Sequence, residues 1–257
     1  MPIVTLTTDW GNGDYYIGRL KGRILSCCPT ATFADITHGI QPFNTLHAAF
    51  VIRHTYSSFP EGSIHLIGVN SEPSPANTIT AVSVNSHYFI GSNDGMFSLI
   101  FDEEADEVIQ LTPTEKTNGF KALELFTKAV KCICEQEPLS SIGLPTGIKK
   151  ELTGKPVYDK DSISGLVIYI DALGNAITNI SRELFMRVGK GRRFEILVQN
   201  NFTKIERISA HYDDVKYGSL VAIFNSFDML EMAINRGNIA QLESLDTKSS
   251  IRVKFYD

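Results

Sequence analysis

The hydrophobic pattern changes character midway along the chain. Ile3-Val4-Thr5-Leu6-Thr7-Thr8 is a β-type run that ends at Asp9 and is followed by the loop Trp10-Gly11-Asn12-Gly13. From Asp14 to Leu25, Ile17, Leu20 and Ile24 recur at helical spacing, and Pro29 stops the predicted helix. A strand is expected over Ala31 to Ile36, and a helix over Phe43 to Tyr56 on Leu46, Ala49, Phe50 and His54. Pro60-Glu61-Gly62 reads as a turn before strands at Ser63 to Val69 and Thr78 to Val84. The segment between those strands, Asn70 to Asn77, is too rich in Pro, Ser and Asn to be regular. Tyr88 to Gly91 reads as a strand closed by the tight turn Ser92-Asn93-Asp94-Gly95, and Glu124 to Cys134 as a helix.

Beyond about Gly143 the long helical patterns cease. Pro145, Gly147, Gly154 and Pro156 mark a connection. Short β-type runs then recur at Gly165–Ile170, Ala176–Ile180, Phe194–Val198, Lys204–Ser209, Leu220–Phe224 and Ile251–Phe255. Such regular short strands predict a small barrel or sandwich. The chain therefore reads as an α/β N-terminal domain over 1–150 and an all-β, barrel-like domain over 157–257, with no internal repeat.

Composition narrows the functional classes. With 257 residues, 43% hydrophobic and a net charge of −5, the chain can bury a large core and lacks the basic face that nucleic acid or an anionic membrane needs. Lys190-Gly191-Arg192-Arg193, the one basic cluster, reads as a solvated hairpin turn and lacks a P-loop ending. Cys27-Cys28 and Cys132/Cys134 lack C-x-x-C spacing and are expected to be reduced. A strand at the very start leaves no room for a signal peptide, and no apolar run nears the ~20 residues of a membrane span, so a cytoplasmic protein is the expectation.

Candidate chemistry begins with Asp9. In α/β proteins, small ligands bind at the carboxyl ends of strands, and a carboxylate there can accept from sugar hydroxyls. Taken alone, Asp9 and Asp14 read as caps of the helix that follows. His38 and His47 have no second metal ligand at a fixed spacing, and G-x-S-x-G, H-E-x-x-H and G-x-G-x-x-G are all absent.

Longer blocks point further. Thr7-Thr8-Asp9-Trp10-Gly11 with Asp14, Gly18 and Lys21-Gly22; Asp35-Ile36-Thr37-His38-Gly39-Ile40-Gln41-Pro42; Phe59-Pro60-Glu61-Gly62-Ser63; Ser92-Asn93-Asp94-Gly95; Asp171-Ala172-Leu173-Gly174-Asn175 with Thr178-Asn179-Ile180; and Asn225-Ser226 with Leu230-Glu231 follow one another in order. In order and spacing the chain resembles the S-adenosylmethionine hydroxide adenosyltransferases (S-adenosylmethionine hydrolases), whose halide-using relatives are the fluorinases and chlorinases. The resemblance implies a fluorinase-like two-domain architecture and a homotrimer with ligand sites at subunit interfaces. S-adenosylmethionine or adenosine is the implied ligand, with no cofactor and no metal.

By position, the resemblance assigns Asp9 to the ribose hydroxyls and Phe43 and Phe120 to aromatic contacts. For Phe43 the structural alternative is a core residue of the second helix. Asp171 falls at the acid that meets the methionine ammonium and Asn175 at the amide that reads an adenine edge. Leu173 stands where the family usually has phenylalanine. For this stretch the structural alternative is a Gly-Asn hairpin turn. Tyr212 matches an aromatic that packs on the base and Ser226 a serine near the methionine carboxylate, while Phe227 replaces the arginine of the fluorinase.

The reactive half departs from the family. Its water-activating aspartate, arginine and histidine fall at Asn70, Asn77 and Lys121. Asn70 can orient water but takes no proton. Lys121 serves as a base only if desolvation lowers its pKa, and its structural alternative is a solvated lysine in the first turn of a helix. Glu72 is a replacement acid in the same loop. A halide role fits less well, because Pro73 offers no donor and Asn70 replaces a tyrosine that walls off the halide pocket. Two readings follow: an enzyme that cleaves S-adenosylmethionine to adenosine and methionine by in-line attack of water at the ribose 5′ carbon, or a catalytically impaired nucleoside-binding protein.

Overall fold

The computed structural model describes residues 1–113, 119–150, 155–199 and 203–257. The chain divides into two compact units, Met1–Glu151 and Leu152–Asp257.

The first unit is a sheet with helices on both faces. Its strands are β1 (Ile3–Thr8), β2 (Thr32–Thr37), β3 (Ile64–Gly68), β4 (Ile79–Val84), β5 (His87–Ser92), β6 (Glu107–Leu111) and β7 (Gly143–Pro145). They lie in the order β2-β1-β3-β5-β4-β6-β7. The pairs β1–β2, β1–β3 and β3–β5 are parallel, and those from β5 outward to β7 are antiparallel. Helix α1 (Tyr16–Cys27) joins β1 to β2, and α2 (Thr45–Arg53) joins β2 to β3. Because β2 lies on one side of β1 and β3 on the other, the strand order reverses at β1. The crevice at the carboxyl ends of β1 and β3 is the place where a doubly wound sheet opens.

Alternation along the strands sorts the core into two layers. Val4, Leu6, Ile64, Leu66, Ile90 and Ile109 face Leu20 and Ile24 of α1 and Leu123, Phe126 and Val130 of α4 (Ala122–Cys134). Ile67, Val69, Val82, Val84 and Phe89 face Ala48, Ala49 and Ile52 of α2 and Phe97 and Ile100 of the short α3 (Phe97–Ile100). The helix predicted from Phe43 begins at Thr45 because the Asn44 side chain caps it, accepting from the His47 N–H. β6 and β7 had no expectation; β6 is a five-residue strand and β7 a three-residue edge. Cys27 and Cys28 end α1 against the end of α4, and burial and the neighbouring Cys28 thiol push Cys134 up to about 12. Such a thiol stays protonated and unreactive.

The second unit is built from antiparallel strands: β8 (Val157–Tyr158), β9 (Ser162–Ile170), β10 (Ala176–Ser181), β11 (Arg193–Val198), β12 (Thr203–Ile205), β13 (Leu220–Phe224), β14 (Met229–Ile234) and β15 (Ser250–Tyr256). Their path is β12-β11-β15-β9-β10-β14-β13, with β8 on β9. The two end strands, β12 and β13, approach one another, so the sheet curls into a nearly closed barrel around Ile163, Val167, Ile196, Met232 and Val253.

Two expectations for this unit are corrected. Arg182–Gly189 forms a helix, α5, and the four-residue α6 (Ile239–Leu242) follows β14. The Ser181 hydroxyl caps α5, and Leu184, Phe185 and Val188 bury against the barrel, with Phe185 edge-on to Phe194, Phe224 and Phe255. The basic cluster is therefore no hairpin turn. Lys190 ends α5 at φ +49°, and the Arg192 guanidinium pairs with Asp161 at 2.8 Å and donates to the Val188 carbonyl.

A buried histidine pair lies at the amino-terminal edge of the first sheet. His65 Nδ1 lies 2.8 Å from the Thr5 hydroxyl, and His65 Nε2 lies 3.2 Å from His87 Nδ1. Burial, reinforced by His87, pulls His65 down to about 3, and burial also lowers His87. In the unfolded chain a histidine titrates near pH ~6.5. The unfolded state therefore binds more protons below that value. The stability tied to neutral His65 is complete above pH ~6.5 and falls as pH drops toward 3, by at most about 1.4 kcal/mol per pH unit. Urea denaturation at pH 7 and pH 5 is expected to show this loss, and His65→Gln, less stable at pH 7, is expected to lose less between the two. Equal pH slopes in the two proteins would refute it. Gly68 supplies a second expectation, because a Cβ there would meet Trp10 Cζ2 at 2.6 Å. Gly68→Ala is expected to cost about 1–3 kcal/mol by thermal melting and to shift the Trp10 fluorescence.

Candidate functional site

Asp9 follows β1 directly, and its carboxylate does not cap α1. Oδ2 accepts from the Phe43 N–H at 2.9 Å and from the Asn70 N–H at 3.3 Å. The Asp9 N–H in turn donates to the Gly68 carbonyl at 3.2 Å. One carboxylate thus ties together the loops that follow β1, β2 and β3. Its other oxygen, Oδ1, accepts from none of the described residues. Asp14 makes only a local bond, from the Tyr15 N–H.

Phe43 is not a core residue of the second helix. It sits before the helix at φ +62° with its side chain 75% exposed. A bulky residue in that backbone conformation is strained, and here Asp9 holds it there. Trp10 packs edge-on to Phe120 with ring centroids 5.2 Å apart, and Phe120 packs likewise on Tyr16. Phe120 therefore belongs to an aromatic wall behind Asp9. His38, buried at the end of β2, pairs through Nδ1 with the Thr8 hydroxyl at 2.9 Å, and its carbonyl accepts from the Gly11 N–H. It supports the Asp9 loop.

The 70–77 loop closes on itself. Asn70, at φ +47°, donates from Nδ2 to Asp94 Oδ2 at 2.9 Å. Its carbonyl accepts from Asn77 Nδ2 and from the Ser92 hydroxyl, each at 2.6 Å. Asn70 and Asn77 are brought together as the sequence led one to expect, but their contact is structural. Glu72 Oε2 accepts from the Lys121 N–H at 3.2 Å, at the start of α4. That carboxylate neutralises part of the helix's positive end. The Lys121 side chain lines a cleft of about 260 Å³ with Pro73, Pro75, Gln110, Pro113 and Leu125. Neither Asp9 nor Asn70 lines that cleft.

Asp94 was not singled out as a site residue, although its motif was. It follows β5, the strand beside β3, and its Oδ1 accepts from the Met96 N–H. The signal available was its place after a parallel strand in line with Asp9 and Asn70.

The second unit carries its own polar cluster. Asp171 and Asn175 close the turn between β9 and β10: Asp171 Oδ1 accepts from the N–H groups of Leu173 and Asn175, and Oδ2 from Asn175 Nδ2. The hairpin alternative thus accounts for Asp171 as well as for Gly174-Asn175. Leu173, at the tip, is 71% exposed, a position with no packing reason to be apolar. Glu231, on β14 and only 4% exposed, accepts from the Tyr212 hydroxyl and from Asn225 Nδ2. Burial, that bond and the charges of Glu231 and Asp171 together push the Tyr212 phenol upward, so it stays a donor. Ser226 and Phe227 are exposed in the β13–β14 turn beside Asn225. Glu231 is the residue that sequence reasoning passed over here, since a strand glutamate gives no sign of being buried.

Known proteins match this layout. A hydrolase of Methanocaldococcus jannaschii, (R)-S-adenosyl-L-methionine hydrolase, is 25% identical over 265 residues, covering 98% of this chain and 96% of its own. A fluorinase of Actinopolyspora mzabensis is 24% identical over 291 residues, covering 98% and 97%. Among solved structures, an uncharacterised conserved protein of Thermotoga maritima superposes with a TM-score of 0.85 at 24% identity, over 99% of this chain and 100% of its own. The fold is thus the fluorinase-like, two-domain one. With the N-terminal domain of the SAM hydroxide adenosyltransferases matched over residues 4–143 and their C-terminal domain over 165–252, the chain belongs to that family.

Proposed function

We propose that the protein binds S-adenosylmethionine and cleaves it to adenosine and methionine by in-line attack of water at the ribose 5′ carbon. The observation that carries this reading is the Asp9 carboxylate, fixed at the β1/β3 switch point through Oδ2, its Oδ1 accepting from none of the described residues, with the ring of Phe43 exposed. A carboxylate accepting from two vicinal hydroxyls is the expected ribose anchor, and charge assistance makes such bonds strong. Phe43 and Phe120 flank the sugar. In the second unit, Asp171 meets the methionine ammonium, Asn175 and Tyr212 take the adenine with Leu173 as an apolar contact, and Ser226 meets the carboxylate. Phe227 withholds the charge that an arginine would supply there. In this reading the chains assemble as a homotrimer.

The chemistry divides between leaving group and nucleophile. Sulfonium leaves as a neutral thioether, so little help is needed on that side. Water is weak until oriented and relieved of a proton. Asn70 orients it. Lys121 borders a cleft that neither Asp9 nor Asn70 lines, and no part in the step is assigned to it. A second reading, a nucleoside binder without turnover, is favoured by one observation: Glu72 is already engaged by the Lys121 N–H.

Incubation with S-adenosylmethionine is expected to release adenosine and methionine in equal amounts by chromatography. Adenosine binding by calorimetry without any release would move the assignment to the binder, and no binding of either compound would defeat both readings. Asp9→Asn keeps an acceptor for the two backbone N–H groups but loses the charge. It is expected to weaken adenosine binding by about 10- to 100-fold, the loss of one charged hydrogen-bond acceptor. Light scattering is expected to give a mass three times the 28.5 kDa of the chain.

A further inference from the structure

Three carboxylates stand on the loops around the β1/β3 crevice: Asp9, Glu72 and Asp94. Their hydrogen bonds give them different work. Asp9 organises the loops through one oxygen. Glu72 sits on the amino end of α4. Asp94 is half-buried, anchored by the Met96 N–H through one oxygen and by the Asn70 amide through the other.

Asn70 links the first and third of these groups. Its backbone N–H is on Asp9 and its side-chain amide on Asp94. Since Nδ2 must face the carboxylate, Oδ1 faces away from it, and that oxygen accepts from none of the described residues. Asn70 is held in the left-handed region at φ +47°, with its carbonyl clamped by Asn77 and Ser92, so the amide has little freedom to turn. A water beside this pair finds an acceptor in Asn70 Oδ1 and a second, charged acceptor in Asp94 Oδ2, which has a lone pair to spare beyond its bond to Asn70.

We propose that Asp94 is the catalytic base of the site, with Asn70 as its positioning residue; this rests on the hydrolytic reading above. As the water oxygen bonds to the ribose 5′ carbon, the carbon–sulfur bond breaks and its electron pair passes to sulfur, which leaves as the thioether of methionine. The water proton passes to Asp94 Oδ2 and from there to solvent. No oxidant, metal or further reactant enters. The carboxylate that takes the proton and the one that holds the ribose sit on opposite sides of a single residue, Asn70, which sets their spacing.

The test exchanges the two ends of one hydrogen bond. Asp94→Asn preserves size and is expected to lower kcat for adenosine release by about 100-fold or more, in the range of a lost general base. Its affinity for adenosine by calorimetry is expected to stay within about threefold of the parent. The double variant N70D/D94N restores a carboxylate facing an amide in the same place and is expected to recover at least about a tenth of the parental kcat. A purely structural role for Asp94 would not produce that split, and the recovery then shows that the charge is needed on one member of the pair. Asp94→Asn with a kcat within about threefold of the parent overturns the role of Asp94 and leaves the hydrolytic reading standing. A double variant as slow as Asp94→Asn, or a loss of adenosine affinity in step with kcat, overturns it as well. A parent protein that binds adenosine and releases none overturns the hydrolytic reading and this inference together.

Discussion

The bond pattern of the Asp9 carboxylate is the constraint on which the first unit's site depends. A parallel sheet delivers its loops to one edge but does not fix their conformations. Here a single oxygen accepts the N–H groups of Phe43 and Asn70, both in the left-handed region, which a bulky phenylalanine disfavours and an asparagine tolerates. One charged acceptor thus holds a strained Phe43 and an unstrained Asn70 in a fixed relation. That arrangement leaves Phe43 turned outward, Asn70 aimed at Asp94, and the second Asp9 oxygen unfilled.

Much of this was legible in the sequence, because it lies in strong local patterns. The alternation in β1 and the spacing of Leu20 and Ile24 fix two elements and their buried faces. Asp9 at the end of the first strand, taken alone, reads as a helix cap, and only the longer blocks of the family resemblance give it a ribose-binding role. What was not legible depended on tertiary partners. The helix Arg182–Gly189 is short and its apolar residues read equally well as a strand edge; it exists because Ser181 caps it and Phe185 finds three aromatic rings from distant strands. Phe43 has the hydrophobicity of a core residue, and only the bond to Asp9, 34 positions away, puts it outside. Lys121 meets the loop through its backbone N–H on Glu72, which no spacing argument could show.

The departures from the family at the reactive loop gain a physical frame from these contacts. A site that has an amide where an acid is expected is not thereby neutral. Asn70 keeps the hydrogen-bonding geometry, and the negative charge sits one bond away on Asp94. Asparagine and aspartate match in shape, and exchanging them across the bond keeps one amide donor facing one carboxylate acceptor, so charge can reside on either position at little structural cost. Replacement at one position therefore says less about lost chemistry than the pair does. The same holds for Asp171 and Asn175, whose mutual bond makes the turn rigid while leaving Leu173 displayed.

The polar groups buried in the first sheet fall into two sets with different duties. His65 and His87 enter at the starts of β3 and β5, whereas Asn70 and Asp94 follow the ends of those same strands. Five residues of extended chain separate His65 from Asn70, about 16 Å at the ordinary rise per residue. Burial opposes a proton on the histidine pair, so its uptake is tied to folding. The carboxylates of Asp9 and Asp94, by contrast, are only partly buried and lie at the opposite edge. One sheet thus keeps an acid-sensitive core at one edge and a carboxylate-lined crevice at the other, and the loss of stability with falling pH belongs to the first.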